Sequence, residues 1–78
     1  RNAIRMARLK KMGLTPGAAD LEIVYQGRAY YIEIKRPGER QTENQKIFMH
    51  WARDAGARYI VVTSPTEVLI ALKKWGIA

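Results

Sequence analysis

Three residues in the middle of the chain carry most of the chemistry the sequence offers: Asp20, Glu33 and Lys35. They lie in two β-rich runs, Asp20-Leu-Glu-Ile-Val-Tyr25 and Arg28-Ala-Tyr-Tyr-Ile-Glu-Ile-Lys35, separated by Gln26-Gly27. That spacing predicts a hairpin closed by a two-residue turn. In the implied register Tyr25 faces Arg28, Ile23 faces Tyr30, Glu22 faces Tyr31 and Asp20 faces Glu33. Period-2 alternation then gathers Leu21, Ile23, Tyr30, Ile32 and Ile34 on a core face, and Asp20, Glu22, Glu33 and Lys35 on the other. Directly opposed Cβ atoms are roughly 5 Å apart, and like charges placed there repel. Two facing carboxylates therefore demand a cation between them: a divalent ion with oxygen ligands, or Lys35 two residues along the same face. The competing reading is a solvated, self-neutralising face in which Asp20 merely opens the strand. The opposed aspartate, the preceding Gly17-Ala-Ala loop and the basic surroundings favour a site. Removing one carboxylate is then expected to relieve repulsion and leave the fold intact.

A hard-oxygen site built on Asp20, Glu33 and a backbone carbonyl suits Mg²⁺ or Mn²⁺. Its natural chemistry is metal-assisted hydrolysis, with Lys35 holding or helping to deprotonate the attacking water, or neutralising charge on the phosphorus centre. The charge balance indicates the substrate class. Fourteen Lys and Arg against seven Asp and Glu give a net charge of +7 and an isoelectric point near 10.2, which points to nucleic acid ahead of a membrane surface. Arg36, Arg40 and Lys46 follow the Glu-x-Lys motif closely and are the candidates for holding a DNA backbone. The absence of cysteine excludes a disulfide scaffold and thiolate chemistry, and a single histidine, His50, excludes a multi-histidine metal site.

Residues 1–78 have room for one core and no second domain. Apolar positions at Ile4, Met6/Ala7, Leu9 and Met12 predict a helix over residues 2–12 stopped by Gly13. A loop through Pro16 and Gly17 leads into the hairpin, which Arg36-Pro37-Gly38 ends. Thr42-x-x-Gln45 reads as a capping box opening a second helix with apolar Ile47, Phe48, Trp51, Ala52 and Ala55. Arg58-Tyr-Ile-Val-Val-Thr63 reads as a strand buried on both faces. Ser64-Pro65-x-Glu67 opens a last helix with Val68, Leu69, Leu72 and Trp75 as its buried stripe. Trp51 and Trp75 are assigned to the core or to a dimer interface, Tyr30 and Tyr31 to strand packing, and His50 to the surface. The expected architecture is a single small α/β domain in α-β-β-α-β-α order, a mixed sheet flanked by helices.

Gly17-Ala-Ala-Asp20, Glu33-Ile-Lys35, Arg36-Pro-Gly and a helix-start Gln45 together resemble the PD-(D/E)xK nuclease superfamily. More specifically they are similar to the virus-type replication-repair nuclease (VRR-NUC) domain in the small stand-alone form found in phages. The resemblance runs from about Gly13 to Ser64. It implies a restriction-endonuclease-like core, Mg²⁺ or Mn²⁺ held by Asp20, Glu33 and the backbone carbonyl of Ile34, and Lys35 serving the attacking water. It also implies that Gln45 belongs to the active site, beside its competing role as the capping-box partner of Thr42. The implied activity is endonucleolytic cleavage of branched DNA such as four-way (Holliday) junctions by a homodimer, in the cytoplasm of a phage-infected bacterial host. Two departures stand out. Ala19 replaces the family's frequent proline, and residues 1–19 contain no Asp or Glu, where the family pattern has an acidic residue on its N-terminal helix; Glu22, on the Asp20 face, is the available substitute. Two other classes compete: a non-catalytic basic nucleic-acid-binding module with a degenerate nuclease site, and a structural subunit docked on a partner protein. No membrane partner is expected, since no apolar run is long enough to span a bilayer, and with DNA as the expected partner no small-molecule substrate is expected.

Overall fold

A computed structural model describes the backbone of residues 4–9 and all of residues 19–77. The elements are β1 (Ile4–Leu9), β2 (Leu21–Tyr25), β3 (Arg28–Ile34), α1 (Glu43–Asp54), β4 (Arg58–Val62) and α2 (Pro65–Lys74). They form a small α/β domain with a mixed sheet in the order β1-β2-β3-β4, antiparallel across the first three strands and parallel between β3 and β4. The parallel pair needs a long crossover, and α1 supplies it.

The β2–β3 hairpin has the expected register, with Tyr25 opposite Arg28, Ile23 opposite Tyr30 and Leu21 opposite Ile32. Its turn residues Gln26 and Gly27 have φ of 50° and 77°, the twist-matched two-residue turn that requires positive φ at both positions. The two faces of the sheet separate as alternation dictates. Ile23, Tyr25 and Tyr30 form a core cluster on one face, packed by Leu21 and by Leu72, Trp75 and Ile77 at the α2 end of the chain. The Tyr30 and Trp75 rings lie 5.0 Å apart. On the opposite face α1 lays Phe48 edge-on to Tyr31 at 5.1 Å and beside Tyr59 at 6.2 Å. The sheet is thus sandwiched between two helices.

The first element departs from expectation. Where a helix was predicted over residues 2–12, Ile4–Leu9 is a strand paired antiparallel with β2, with its register shifted between Ile4 and Met6. Apolar residues at positions 4, 6, 7 and 9 fit a bulged strand as well as a helical stripe. The backbone groups on the outer edge of β2 decide between them by offering a ladder to complete. Gly13 as a helix stop and the loop through Pro16 and Gly17 lie outside the described residues. The helix that was to carry the family's acidic residue is accordingly not formed by residues 4–9.

Four smaller points concern burial. Leu69 is 57% exposed while Ala71 is buried in its place, so the face of α2 turned to the sheet is rotated from the predicted stripe. β4 is not buried on both faces, because it is the last strand in the sheet order and leaves Val61 partly exposed. Ile34, assigned to the core face, is half exposed because β3 ends there. Trp51 is 72% exposed and so is no part of the chain's own core, whereas Trp75 packs on Tyr30.

Candidate active site

The hairpin delivers its acidic residues to one end of the sheet. Asp20 stands immediately before β2, and its Oδ2 accepts the backbone N–H of Ile34 at 2.8 Å. That bond fastens the start of β2 to the end of β3 and holds the Asp20 carboxylate beside the Glu33-Ile34-Lys35 segment. Lys35 continues the parallel pairing, its N–H donating to the carbonyl of Val62 at 2.8 Å.

Glu33 is only 2% exposed and Lys35 7%. A carboxylate so deeply buried needs hydrogen bonds and a counter-charge. Both are present: the Lys35 ammonium lies 3.6 Å from Glu33 Oε2, and the amide Nε2 of Gln45 donates to that oxygen at 2.8 Å.

Gln45 both caps α1 and reaches Glu33, because its amide has two ends. Oε1 accepts the N–H of Thr42 at 2.8 Å, while Thr42 Oγ1 accepts the N–H of Gln45 at 3.2 Å, a complete capping box. Nε2 is left to donate to Glu33. Flipping the amide would set acceptor against acceptor at Glu33 and donor against donor at Thr42, so both partners select one orientation. The cap that begins α1 also locks the rotamer of the buried acid.

Glu22 accepts a hydrogen bond from the Tyr31 hydroxyl at 3.0 Å, its opposite number one step along the hairpin. Arg36 and Arg40 lie exposed between β3 and α1, and Lys46 lies exposed near the start of α1, where its ammonium is 3.7 Å from Glu43. Arg36 and Arg40 follow directly from the Lys35 end of β3.

Two neighbours were not anticipated from sequence. Glu39 Oε2 lies 3.8 Å from the Lys35 ammonium. The chain reaches back because Arg36-Pro37-Gly38-Glu39 is a turn closed by Glu39 N–H to the Arg36 carbonyl at 2.9 Å, with Gly38 at φ 85°. Proline second and a positive-φ glycine third are the signature of a type II turn, so the signal was legible in Arg-Pro-Gly-Glu. The second is Tyr59, buried opposite Tyr31 in the parallel register. Burial and then the Glu33 carboxylate push its hydroxyl up to about 12, Asp20 adds to the rise, and Gln41 and Arg53 act against it. The phenol therefore stays neutral and senses both candidate carboxylates.

The donor set suits a small hard cation: two carboxylates and a strand-end carbonyl, all oxygen. Among the described residues no group of three acidic, histidine or cysteine side chains gathers. An ion held by Asp20 and Glu33 would therefore keep several waters, as Mg²⁺ characteristically does. A cleft of about 500 Å³ opens at the start of β4, lined by Arg53, Arg58, Tyr59, Lys74 and Trp75 among others, and neither Asp20, Glu33 nor Lys35 lines it. The chain matches no family model, and neither curated proteins nor solved structures give a match to it. No helix among the described residues is long and apolar enough to cross a membrane.

Proposed function

We propose that this chain is a metal-dependent DNA endonuclease of the PD-(D/E)xK type, a VRR-NUC-like domain that hydrolyses phosphodiester bonds and prefers branched DNA such as four-way junctions. The observation that carries the reading is the buried Glu33 carboxylate, held jointly by Lys35 at 3.6 Å and Gln45 at 2.8 Å, with Asp20 anchored to Ile34 beside it. A structural acid has little reason to be buried with a lysine on a sheet face, because an apolar residue would be at least as stable there.

Asp20, Glu33 and the carbonyl of Ile34 would hold Mg²⁺ or Mn²⁺. A bound divalent ion lowers the pKa of its water and offsets charge developing on the phosphoryl oxygens. Gln45 keeps the Glu33 carboxylate in one rotamer, so its oxygens are aimed before any substrate arrives. The Lys35 ammonium places a positive charge beside that carboxylate, where it orients the attacking water or stabilises the anionic transition state. Arg36, Arg40 and Lys46 contact the DNA backbone. A C2 homodimer would present two such sites to two strands, and the exposed Ile47 and Trp51 of α1 offer apolar surface for the contact.

The second reading, a basic DNA-binding module with a degenerate site, draws support from the small number of gathered ligands, two acids rather than three among the described residues. Cleavage of a labelled four-way junction, beside linear duplex, in Mg²⁺, Mn²⁺ or EDTA separates the two. Metal-dependent cutting of the junction that disappears in Lys35→Ala is the expected result. Junction binding without cutting in either metal would overturn the nuclease reading in favour of the binding module.

A further inference from the structure

We propose that Glu39 is a resident anion on Lys35, occupying the position that a substrate phosphate takes, so that DNA binds by exchanging its phosphate for the Glu39 carboxylate. The identity of the displacing anion rests on the nuclease reading above; the exchange itself rests on the geometry of the turn.

Lys35 has two anionic partners of different character. The inner one, Glu33, is buried and fixed by Gln45. The outer one, Glu39, lies 3.8 Å from the ammonium with its side chain 48% exposed. Glu39 is placed there by construction. One carboxylate oxygen, Oε1, accepts the Arg36 N–H at 2.9 Å, while the other, Oε2, faces Lys35. The backbone N–H of Glu39 closes the Arg36–Glu39 turn. With that carboxylate in place beside its ammonium, Lys35 is 7% exposed.

A half-exposed ion pair contributes little and is easily exchanged for a stronger anion. A phosphodiester arriving on Arg36 and Arg40, which flank Glu39 in the chain, brings its own charge and releases counterions as it binds. To touch Lys35 from solvent it must displace the carboxylate already there. Glu39 therefore keeps the buried lysine paired while the site is empty of DNA, and weakens DNA binding by the energy of the contact that must be broken. An ordinary i,i+4 surface ion pair, the competing account, would have no coupling to DNA through Lys35.

Glu39→Gln isolates the charge, because an amide oxygen can still accept the Arg36 N–H and preserve the turn. Junction affinity is measured in EDTA for the wild-type chain, Glu39→Gln, Lys35→Met and the double variant, and kcat/KM is measured in Mg²⁺ for the first two. Glu39→Gln is expected to tighten binding roughly two- to fivefold, the range an exposed pair allows, and to raise kcat/KM in the same sense. The tightening should vanish when Lys35 is already Met. Equal tightening in the Lys35→Met background would overturn the proposal, since it would report only a more positive surface. Unchanged affinity, or a fall in kcat/KM, would overturn it as well. If the expected binding pattern appears in a chain that cuts no DNA, the exchange stands and the nuclease reading fails. If the chain cuts DNA and the binding pattern is absent, the reverse holds.

Discussion

Replacing Glu33 by alanine tests whether the Asp20 and Glu33 carboxylates oppose each other or are built into a satisfied network. From the hairpin alone, removing one of two facing acids should relieve repulsion and cost nothing. The structure predicts the opposite. Without Glu33, the Gln45 Nε2 donor loses its 2.8 Å acceptor in a residue only 8% exposed, and an unsatisfied buried donor costs about 1–3 kcal/mol. Lys35 loses its 3.6 Å partner as well but keeps Glu39 at 3.8 Å, so it falls short of the roughly 3–5 kcal/mol typical of a fully broken buried pair. Asp20 remains anchored on the Ile34 N–H, which limits any relief of repulsion. The net expectation is a loss of about 2–4 kcal/mol, on the order of 10–20 °C in Tm for a domain of this size. Urea denaturation in EDTA, followed by circular dichroism, measures it without metal. Glu33→Gln, which keeps an acceptor for Gln45, should lose distinctly less stability while still abolishing cleavage. A Glu33→Ala chain as stable as wild type, or more stable, would show that repulsion outweighs the network and refute the reasoning.

Three further outcomes are expected. The Tyr59 hydroxyl is raised from 10.0 to about 12, so between those values the unfolded chain releases its proton first; the stability this phenol contributes is full below pH 10 and is lost as pH rises toward 12. Urea midpoints measured across that window should fall more steeply for wild type than for Tyr59→Phe, and parallel curves would contradict the burial of the group. Gln26 holds φ 50° in the hairpin turn, a conformation asparagine tolerates better, so Gln26→Asn should add about 0.5–1 kcal/mol to stability, read as a rise in Tm; a fall would mean the Gln26 side chain contributes more than its backbone strain removes. The slope of log affinity for DNA against log salt should drop by about 1 for each of Arg36→Ala, Arg40→Ala and Lys46→Ala if each meets a phosphate, and an unchanged slope removes that residue from the interface.

How far the chain could be read in advance depended on whether the information was local. The hairpin register, the capping box of Thr42 and Gln45, and the N-cap of Ser64 with Pro65 all follow from residues a few positions apart, and the structure contains each of them. The nearness of Asp20 to the Glu33-Ile34-Lys35 segment was legible for the same reason, but Asp20 precedes β2 and accepts the Ile34 N–H rather than standing in the ladder opposite Glu33. Only the tertiary structure decided the rest. Residues 4–9 became a strand because the edge of β2 offered backbone partners that a short isolated helix does not have, and local pattern could not weigh that choice. The placement of α1 over the site face, which turns Gln45 from a cap into a clamp on Glu33, depends on a crossover between β3 and β4 that no spacing within the helix reveals. The burial of Tyr59 beside the carboxylates and the exposure of Trp51 depend on that same packing. Sequence specified which charges lie on one strand face; the fold determined which of them are buried together, and burial is what converts a pair of acids and a lysine into a candidate site.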